Sequence, residues 1–309
     1  MNKKLTLLIA LIPCTLWASV FPVVKLLVQE LDITSDTSGK MALAGMRFFT
    51  AGVLILITSV IMNKQLPIPK KSDMVNIGIV GLFQTAGLYG LYYYSIAFVT
   101  GVKASVISQG GIFYMIILAF FFLGERISKR HIIGIFFGLT GIIVLNLNGL
   151  SDTSSLFSFT LKGEGLLLLS GVFSSIGQIL AKKRCSSVPP MILNGWQMTL
   201  GGGLLLIVGT IMNDGLIEFS SAYTIVLMLY SIMVAAVAFT VWYVLLQKAN
   251  VNDIVPIRLT IPVLGSIFSA IFLPGESLTL NIIFGLVFVV MGMYVITFSK
   301  IKASKRIEV

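Results

Sequence analysis

Apolar stretches of about 20 residues recur along this chain with only short polar stretches between them, and about 20 residues is the length a helix needs to cross a bilayer. The 309-residue chain is 57% hydrophobic and only 11% charged, with a mean hydropathy of +0.99. A water-soluble domain of this size could not expose so much apolar surface. The sequence therefore predicts an all-α integral membrane protein.

Ten apolar segments account for nearly the whole chain, and each predicts one transmembrane helix. They lie at 5–28, 41–62, 75–98, 102–123, 131–149, 163–181, 190–212, 223–246, 253–273 and 280–299. The longest polar stretch follows the fifth segment and is rich in Ser, Thr and Gly, as linkers are. We therefore expect two five-helix units at 5–149 and 163–299, a linker at 150–162 and a tail at 300–309.

The two units resemble each other in sequence. Adding 151 to positions 121–145 gives eight identities in 25. They include the pairs Gly124/Gly275, Glu125/Glu276, Gly134/Gly285 and Gly141/Gly292. A weaker match aligns AGMRFFTAG with NGWQMTLGG and sets Arg47 opposite Gln197. Because each unit has an odd number of predicted spans, the second would enter the membrane in the opposite orientation, as an inverted repeat.

Basic residues give an independent prediction of orientation. With a cytoplasmic N-terminus, 16 of the 22 Lys and Arg residues fall on the cytoplasmic side, in agreement with the positive-inside rule. The basic turn GERISKRH of the first unit corresponds to GESLTLN in the second, which has no basic residue. We expect a multi-pass protein of the cell (plasma) membrane with both termini cytoplasmic and an uncleaved first helix.

Several classes of function are disfavoured. The net charge of +10 is spread over short clusters between apolar runs, which favours contact with the anionic bilayer surface over nucleic acid. His131 is the single histidine, the cysteines Cys14 and Cys185 have no metal-ligand spacing, and no P-loop occurs. We predict no catalytic residues, metal site or cofactor, and a chain that is not an enzyme.

Three basic residues lie within predicted spans, where a charge is costly and therefore suggests function. Arg258 lies between Pro256 and Pro262, whose rings remove backbone hydrogen bonds and can bend the helix. It could bind substrate or bond the freed carbonyls. Lys103 could bind substrate or extend to the interface, and Arg47 is interpreted as structural or gating. Two such cations in one cavity would favour a carboxylate or phosphate.

Aromatic and amide side chains within the spans are further candidates for substrate binding. They are Trp17, Tyr92, Gln109, Gln178, Trp242 and Tyr243. The offset of 151 pairs Tyr92 with Tyr243, the same place in both units. Taken singly, an aromatic ring could equally face lipid, and an amide could join one helix to another.

The chain resembles the EamA branch of the drug/metabolite transporter superfamily over nearly its full length. The resemblance rests on LWASVFPVVK in the first helix, on the arginine of AGMRFFTAG, on SIAFVTGVKAS, and on FFLGERISKRHIIGIFFGLTGIIVL. Glu125 and Glu276 match the glutamate typical of the closing turn, and Pro262 matches a proline usual in the last-but-one helix. The first unit has Gly110-Gly111 where that proline would stand.

The resemblance implies ten helices around a central cavity, alternating access, and export of amino acids or other metabolites. Relatives in the plastid sugar-phosphate branch hold phosphate with basic residues on the fourth and ninth helices, where Lys103 and Arg258 lie here. We therefore expect a secondary transporter of a small amino-acid-like or carboxylate-bearing metabolite, with a coupling ion and a homodimer both possible. The alternatives are a drug or lipid-linked small-molecule translocator and a non-transporting membrane sensor or subunit.

Overall fold

The computed structural model describes residues 3–64, 67–99, 104, 107–145, 159–273 and 280–298. The secondary structure of these residues is helical, without a β-strand. In chain order the helices are α1 (Lys3–Glu30), α2 (Thr37–Asn63), α3 (Lys71–Ser95), α4 (Gly110–Leu123), α5 (Lys129–Leu145), α6 (Leu161–Arg184), α7 (Pro190–Met212), α8 (Ala222–Lys248), α9 (Val251–Phe272) and α10 (Leu280–Phe298).

Seven of these helices, α1 to α3 and α6 to α9, are long and apolar enough to cross a membrane. Helix α4 and the Leu280–Ile296 part of α10 are also apolar but shorter. The prediction of an all-helical membrane protein is confirmed at this level. The first residues of the predicted fourth segment, with Lys103, and the turn that holds Glu276 lie outside the described residues.

Large apolar side chains cover much of the outer surface of the helices. Phe121, Phe136 and Ile211 are each at least two-thirds exposed, and many other Phe, Ile and Leu residues face outward. Apolar surface on this scale belongs against lipid and not against water. Glutamine, asparagine and serine side chains, by contrast, are buried between the helices.

Three helices depart from regular α geometry, and α6 does so at its start, with a π-helical turn at Leu161–Gly165. Helix α3 contains a π-helical turn at Leu82–Gly87, immediately before its tyrosine-rich end. Helix α9 begins with one α turn, continues as a 3-10 turn at Val255–Leu259 and resumes as an α-helix at Thr260. Pro256, which has no N–H to donate, lies in this 3-10 turn. Arg258 lies in the same turn, so its side chain leaves the helix at the irregular position.

The most extensive helix contact joins α2 to α7, which run antiparallel. Glycines allow the two backbones to touch, because a Cβ on Gly45 or Gly202 would lie 2.4 Å from backbone of the other helix. The contacts come in pairs separated by 150 residues: Gly45 meets Leu206 as Gly195 meets Leu56, and Gly52 meets Thr199 as Gly202 meets Phe49.

Helices α5 and α10 form the second most extensive contact and are also antiparallel. A Cβ on Gly292 would lie 2.4 Å from the carbonyl oxygen of Gly134, and a Cβ on Gly141 would lie 2.6 Å from that of Gly285. The two contacts are related by the offset of 151 that aligns these glycines in the sequence. These glycines therefore serve close packing, as small residues commonly do between membrane helices.

Two further pairs of contacts join helices that the sequence alignment of the two units places at matching positions. Helix α1 packs on α8, and their equivalents α6 and α3 pack on each other. Likewise α4 packs on α6, and the equivalents α9 and α1 are in contact. The polar and aromatic residues considered next lie on α1, α2, α3, α6, α8 and α9.

Candidate functional site

Arg258 lies against two tryptophan rings at the centre of the bundle. Its guanidinium carbon is 6.0 Å from the ring centre of Trp17 on α1 and 5.8 Å from that of Trp242 on α8. The two indole rings meet edge to face with their centres 5.5 Å apart. A guanidinium at this distance is attracted by the negative face of an aromatic ring. The two rings, here called the tryptophan pair, thus stabilise the cation within the bundle.

A hydrogen bond from α6 fixes the ring of Trp242. The indole Nε1 donates to Gln178 Oε1 at 2.9 Å, and Gln178 Nε2 donates to the Ser174 hydroxyl at 3.1 Å. Trp242 and Gln178 are each only 1% exposed. Because buried polar atoms need partners, this chain of bonds sets both the position and the tilt of the indole.

An aromatic chain leads from the tryptophan pair towards α3. It runs from Trp17 to Phe239, Phe48, Tyr89 and Tyr93, with successive ring centres at 5.0, 6.1, 4.4 and 6.3 Å. These are ordinary separations for interacting rings. The aromatic chain gives the centre of the bundle a continuous, rigid and mainly apolar wall.

Arg47 lies against the middle of this wall. Its guanidinium carbon lies 4.3 Å from the ring centre of Phe48. It also lines a small cleft between α1, α2, α3 and α8, together with Tyr93, Ser231 and apolar side chains. The cleft lies towards the end of the bundle where residues 31–36 join α1 to α2.

Three buried donor atoms beside this wall lack acceptors. Arg47 Nε, Arg258 Nε and Trp17 Nε1 are buried atoms without a hydrogen-bond partner. The ion pairs found in the described part of the chain include neither arginine. A buried donor without a partner costs about 1–3 kcal/mol, so an acceptor supplied by a bound molecule would stabilise this arrangement.

The opposite end of the bundle is tied together by polar contacts. Glu125, after α4, accepts hydrogen bonds from the backbone N–H groups of Val251 at 2.9 Å and Asn252 at 3.0 Å. Its carboxylate also pairs with Lys182 of α6 at 3.0 Å, and Lys182 donates to the carbonyl of Ala249. A carboxylate at the start of a helix satisfies N–H groups that have no partner within the helix. Glu125 thereby holds the start of α9 against α4 and α6.

A second set of contacts strengthens this tie. Asp253 lies 3.6 Å from both Arg130 and His131 of α5, and the Asn252 side chain donates to the carbonyl of Arg126. His131 Nδ1 accepts a hydrogen bond from the backbone N–H of Ser128 at 3.3 Å. The side chains of Asn252 and Asp253 therefore hold the first turn of α9 against the α4–α5 connection and the start of α5.

The structure brings some of the predicted binding residues together and leaves others apart. Arg258, Trp17, Trp242 and Gln178 form one connected group. Tyr92 meets the far end of the aromatic chain through Tyr93, with ring centres 5.5 Å apart.

The other predicted residues stand outside this group. Tyr243 is 1% exposed, and its hydroxyl has no hydrogen-bond partner. Gln109, half-buried, precedes α4 and has no side-chain hydrogen bond to the group. Pro262 lies near the start of the regular part of α9. Lys103 and Glu276 fall outside the described residues.

Sequence reasoning missed three rings of the wall, Phe48, Phe239 and Tyr89. Tyr89 precedes Tyr93 by four positions and Phe239 precedes Trp242 by three, so each shares a helix face with a residue that was singled out. That spacing was an available signal. Phe48 directly follows Arg47, but phenylalanines also abound on the surface that faces lipid, so its type carried no signal.

Metal chemistry has no evident place in this arrangement. The described ranges hold no group of three or more His, Cys, Asp or Glu side chains placed to bind an ion. The polar atoms of the tryptophan pair and of both arginines are donors, which suit an anion and not a cation.

Comparison with known proteins gives a consistent family. The chain is 25% identical to a probable amino-acid metabolite efflux pump of Salmonella typhimurium over 97% of both chains. It is 26% identical to the uncharacterized transporter YvbV of Bacillus subtilis, over 87% of this chain and 85% of that protein. It is also 24% identical to a WAT1-related chloroplast protein of Arabidopsis thaliana, over 93% and 68%.

A crystal structure that is 17% identical in sequence has the same fold. Its TM-score with this chain is 0.74, over 95% of this chain and 96% of the other. The sequence profile of the EamA-like transporter family matches residues 4–147 and 161–298. The chain therefore belongs to the EamA-like transporter family.

Proposed function

We propose that this chain is a secondary transporter that exports a small carboxylate-bearing metabolite by alternating access. The observation that carries the proposal is Arg258, a guanidinium that lies against two indole rings and has no carboxylate partner among the described residues. Such a cation, with the Trp17 N–H beside it, can receive a carboxylate in a water-poor site. The Salmonella relative, a probable amino-acid metabolite efflux pump, supports both the direction and an amino-acid-like substrate.

The proposed architecture is ten membrane-crossing helices in two inverted repeats, at 5–149 and 163–299, with a linker at 150–162 and a tail at 300–309. The paired contacts at offsets of 150 and 151 support it. So does the antiparallel course of α2 beside α7 and of α5 beside α10, because helices at equivalent places in inverted repeats run in opposite directions.

Alternating access requires that one end of the site be open while the other is closed. The cleft at Arg47 lies towards one end of the bundle, and the Glu125 contacts close the other. With a cytoplasmic N-terminus the closed end is cytoplasmic, so this arrangement corresponds to an outward-facing state. On this proposal Glu125, Arg47 and the prolines Pro256 and Pro262 serve gating, and Glu276 serves the same purpose in the second repeat.

Counterflow in proteoliposomes tests the proposed function. Vesicles loaded with one unlabelled organic or amino acid are diluted into the same labelled compound, and uptake is compared for wild type, Arg258→Gln and Arg184→Gln. Arg184 is an exposed arginine at the end of α6 and serves as the matched control. We expect uptake by wild type and the control, and its loss in Arg258→Gln.

Other outcomes would favour the alternative functions. Transport of uncharged or cationic drugs that survives Arg258→Gln would favour a drug or lipid-linked translocator. Ligand binding without any counterflow in wild type would favour a sensor. Chemical conversion of a ligand by the purified protein would contradict the assignment as a non-enzyme.

A further inference from the structure

We infer that Arg47 binds a second anionic group of the substrate, so that the transported molecule is a dianion. Its two acidic groups would bind at Arg258, beside Trp17, and at Arg47, beside Phe48. The inference rests on the proposed function, because it assigns the first acidic group to Arg258. It narrows the substrate class from carboxylate-bearing metabolites to those with two carboxylates, or a carboxylate and a phosphate.

The position of Arg47 is the first ground for the inference. The side chain lines the cleft together with Tyr93 and Ser231, which are the other polar side chains there. Arg47 lies about 15 Å from the start of α2 at 1.5 Å per residue, well inside the span. An arginine that merely extended to the interface would leave the bundle and not line a cleft within it.

The bonding of Arg47 is the second ground. A structural arginine inside a membrane bundle donates to carbonyls at helix ends or to a carboxylate. In the described ranges of this chain Arg47 has neither, its Nε is buried without a partner, and its contact is with the face of the Phe48 ring. Contact with a ring leaves the N–H groups at the edge of the guanidinium available to an acidic oxygen.

The aromatic chain connects the two arginines. Arg258 lies 6.0 Å from the ring centre of Trp17, and Arg47 lies 4.3 Å from that of Phe48. The ring of Phe239 contacts both Trp17 and Phe48. The acidic residues Glu125 and Asp253, by contrast, already bond Lys182, Arg130 and His131 at the other end of the bundle. The site thus presents two positive groups across aromatic rings, which suits two negative groups better than a zwitterion.

Binding of matched ligand pairs tests this inference. Detergent-purified protein is titrated near neutral pH, by isothermal calorimetry, with succinate, glutarate and adipate and with the monomethyl ester of each. We expect wild type to bind at least one free diacid about tenfold more tightly than its monoester, because a second charge-assisted bidentate contact is lost in the ester. This comparison uses the wild-type protein and needs no variant to fold.

Variants of Arg47 and Arg258 show which arginine causes the diacid to bind more tightly than its monoester. In Arg47→Gln the diacid should bind only as tightly as its monoester. Arg47→Lys, which keeps the charge but loses the bidentate geometry, should recover part of the preference. Arg258→Gln should weaken the diacid and the monoester alike. Arg184→Gln, on the exposed end of α6, should behave as wild type.

Two results would overturn the inference while leaving the proposed function standing. In one, wild type binds diacids and their monoesters equally tightly, and the binding of both depends on Arg258. In the other, wild type prefers zwitterionic amino acids, and Arg47→Gln leaves this preference unchanged. Failure of every acid to bind in an Arg258-dependent way would instead contradict the proposed function itself.

Discussion

Gln178 shows how one amide can position an aromatic ring of the candidate site. Its Oε1 accepts the Trp242 N–H at 2.9 Å, and its own amide N–H groups bond Ser174. Replacing Gln178 by Leu leaves the indole donor buried without a partner, which costs about 1–3 kcal/mol of unfolding free energy. We expect a lower melting temperature and weaker substrate binding, measured by thermal unfolding and by titration on the same preparation.

The control for Gln178→Leu is the same change in a Trp242→Phe background. Phe has no N–H, so no donor is left unpaired, and the second substitution should cost much less there than in wild type. Equal costs in the two backgrounds would show that the hydrogen bond does not position Trp242.

At the residue scale, the sequence predicted the site best where a side chain was out of place in an apolar run. Arg258, Trp17, Gln178 and Trp242 stood out in this way, and they form one group in the structure. Phe48 did not, because a phenylalanine facing a cavity and one facing lipid look alike in sequence. Which residues of a helix face the site depends on the rotation of the helix about its own axis, and tertiary packing determines that rotation.

Single glycines allow the backbones of helices α5 and α10 to make close contact. A Cβ on Gly292 would lie 2.4 Å from the Gly134 carbonyl oxygen, so Gly292→Ala must push the helices apart. We expect a loss of about 1–3 kcal/mol in stability, as for other overpacked cores, seen as a lower melting temperature in detergent.

Gly78→Ala in α3 is the matched control for this change. The added Cβ would meet only a leucine methyl at 3.8 Å. Alanine also favours the helix by up to about 1 kcal/mol over glycine, so the control should match or exceed wild-type stability. A Gly292→Ala variant as stable as Gly78→Ala would contradict the close contact.

The start of helix α9 is held by Glu125, and a nearby thiol can report on that contact. Cys185 follows Lys182 by three residues and is fully buried, and burial raises the pKa of its thiol from 9.0 to about 11. At neutral pH the reactive thiolate is therefore scarce. In a Cys14→Ala background, maleimide labelling should be slow and should increase about tenfold per pH unit up to about pH 10.

Glu125→Gln removes the charge that holds Lys182 and the first N–H groups of α9. We expect this end of the bundle to open more often and labelling of Cys185 at neutral pH to become about tenfold faster, which corresponds to about 1.4 kcal/mol. Glu30→Gln, at the end of α1, is the control and should label at the original rate. Unchanged labelling in Glu125→Gln would argue against a gating role.

At the element scale, the sequence identified the glycine repeats but not their partners. The offset of 151 showed that Gly134 and Gly285 are equivalent, and Gly141 and Gly292 likewise. It did not show that Gly134 meets Gly292 and Gly141 meets Gly285. An alignment shows which residues correspond, whereas the contacts between them depend on how the helices pack against one another.

At the scale of the whole molecule, hydropathy alone predicted a helical membrane protein, and family membership agrees with it. The mean hydropathy could not locate the candidate site, because its side chains come from α1, α2, α3, α6, α8 and α9. The proposed function depends most on a property of the packed bundle, namely that a cationic site without a carboxylate partner among the described residues binds an acidic ligand.

Ligand-induced thermal stabilisation tests that property most directly, because a molecule that binds only the folded state raises its melting temperature. Purified wild type, Arg258→Gln and the control Arg184→Gln would be screened against organic acids, amino acids, sugar phosphates, nucleosides and cationic drugs. We expect acidic ligands to raise the melting temperature of wild type and of the control by several degrees and to leave that of Arg258→Gln unchanged. Equal stabilisation of all three proteins by uncharged or cationic ligands would contradict the proposal that Arg258 binds an acidic ligand.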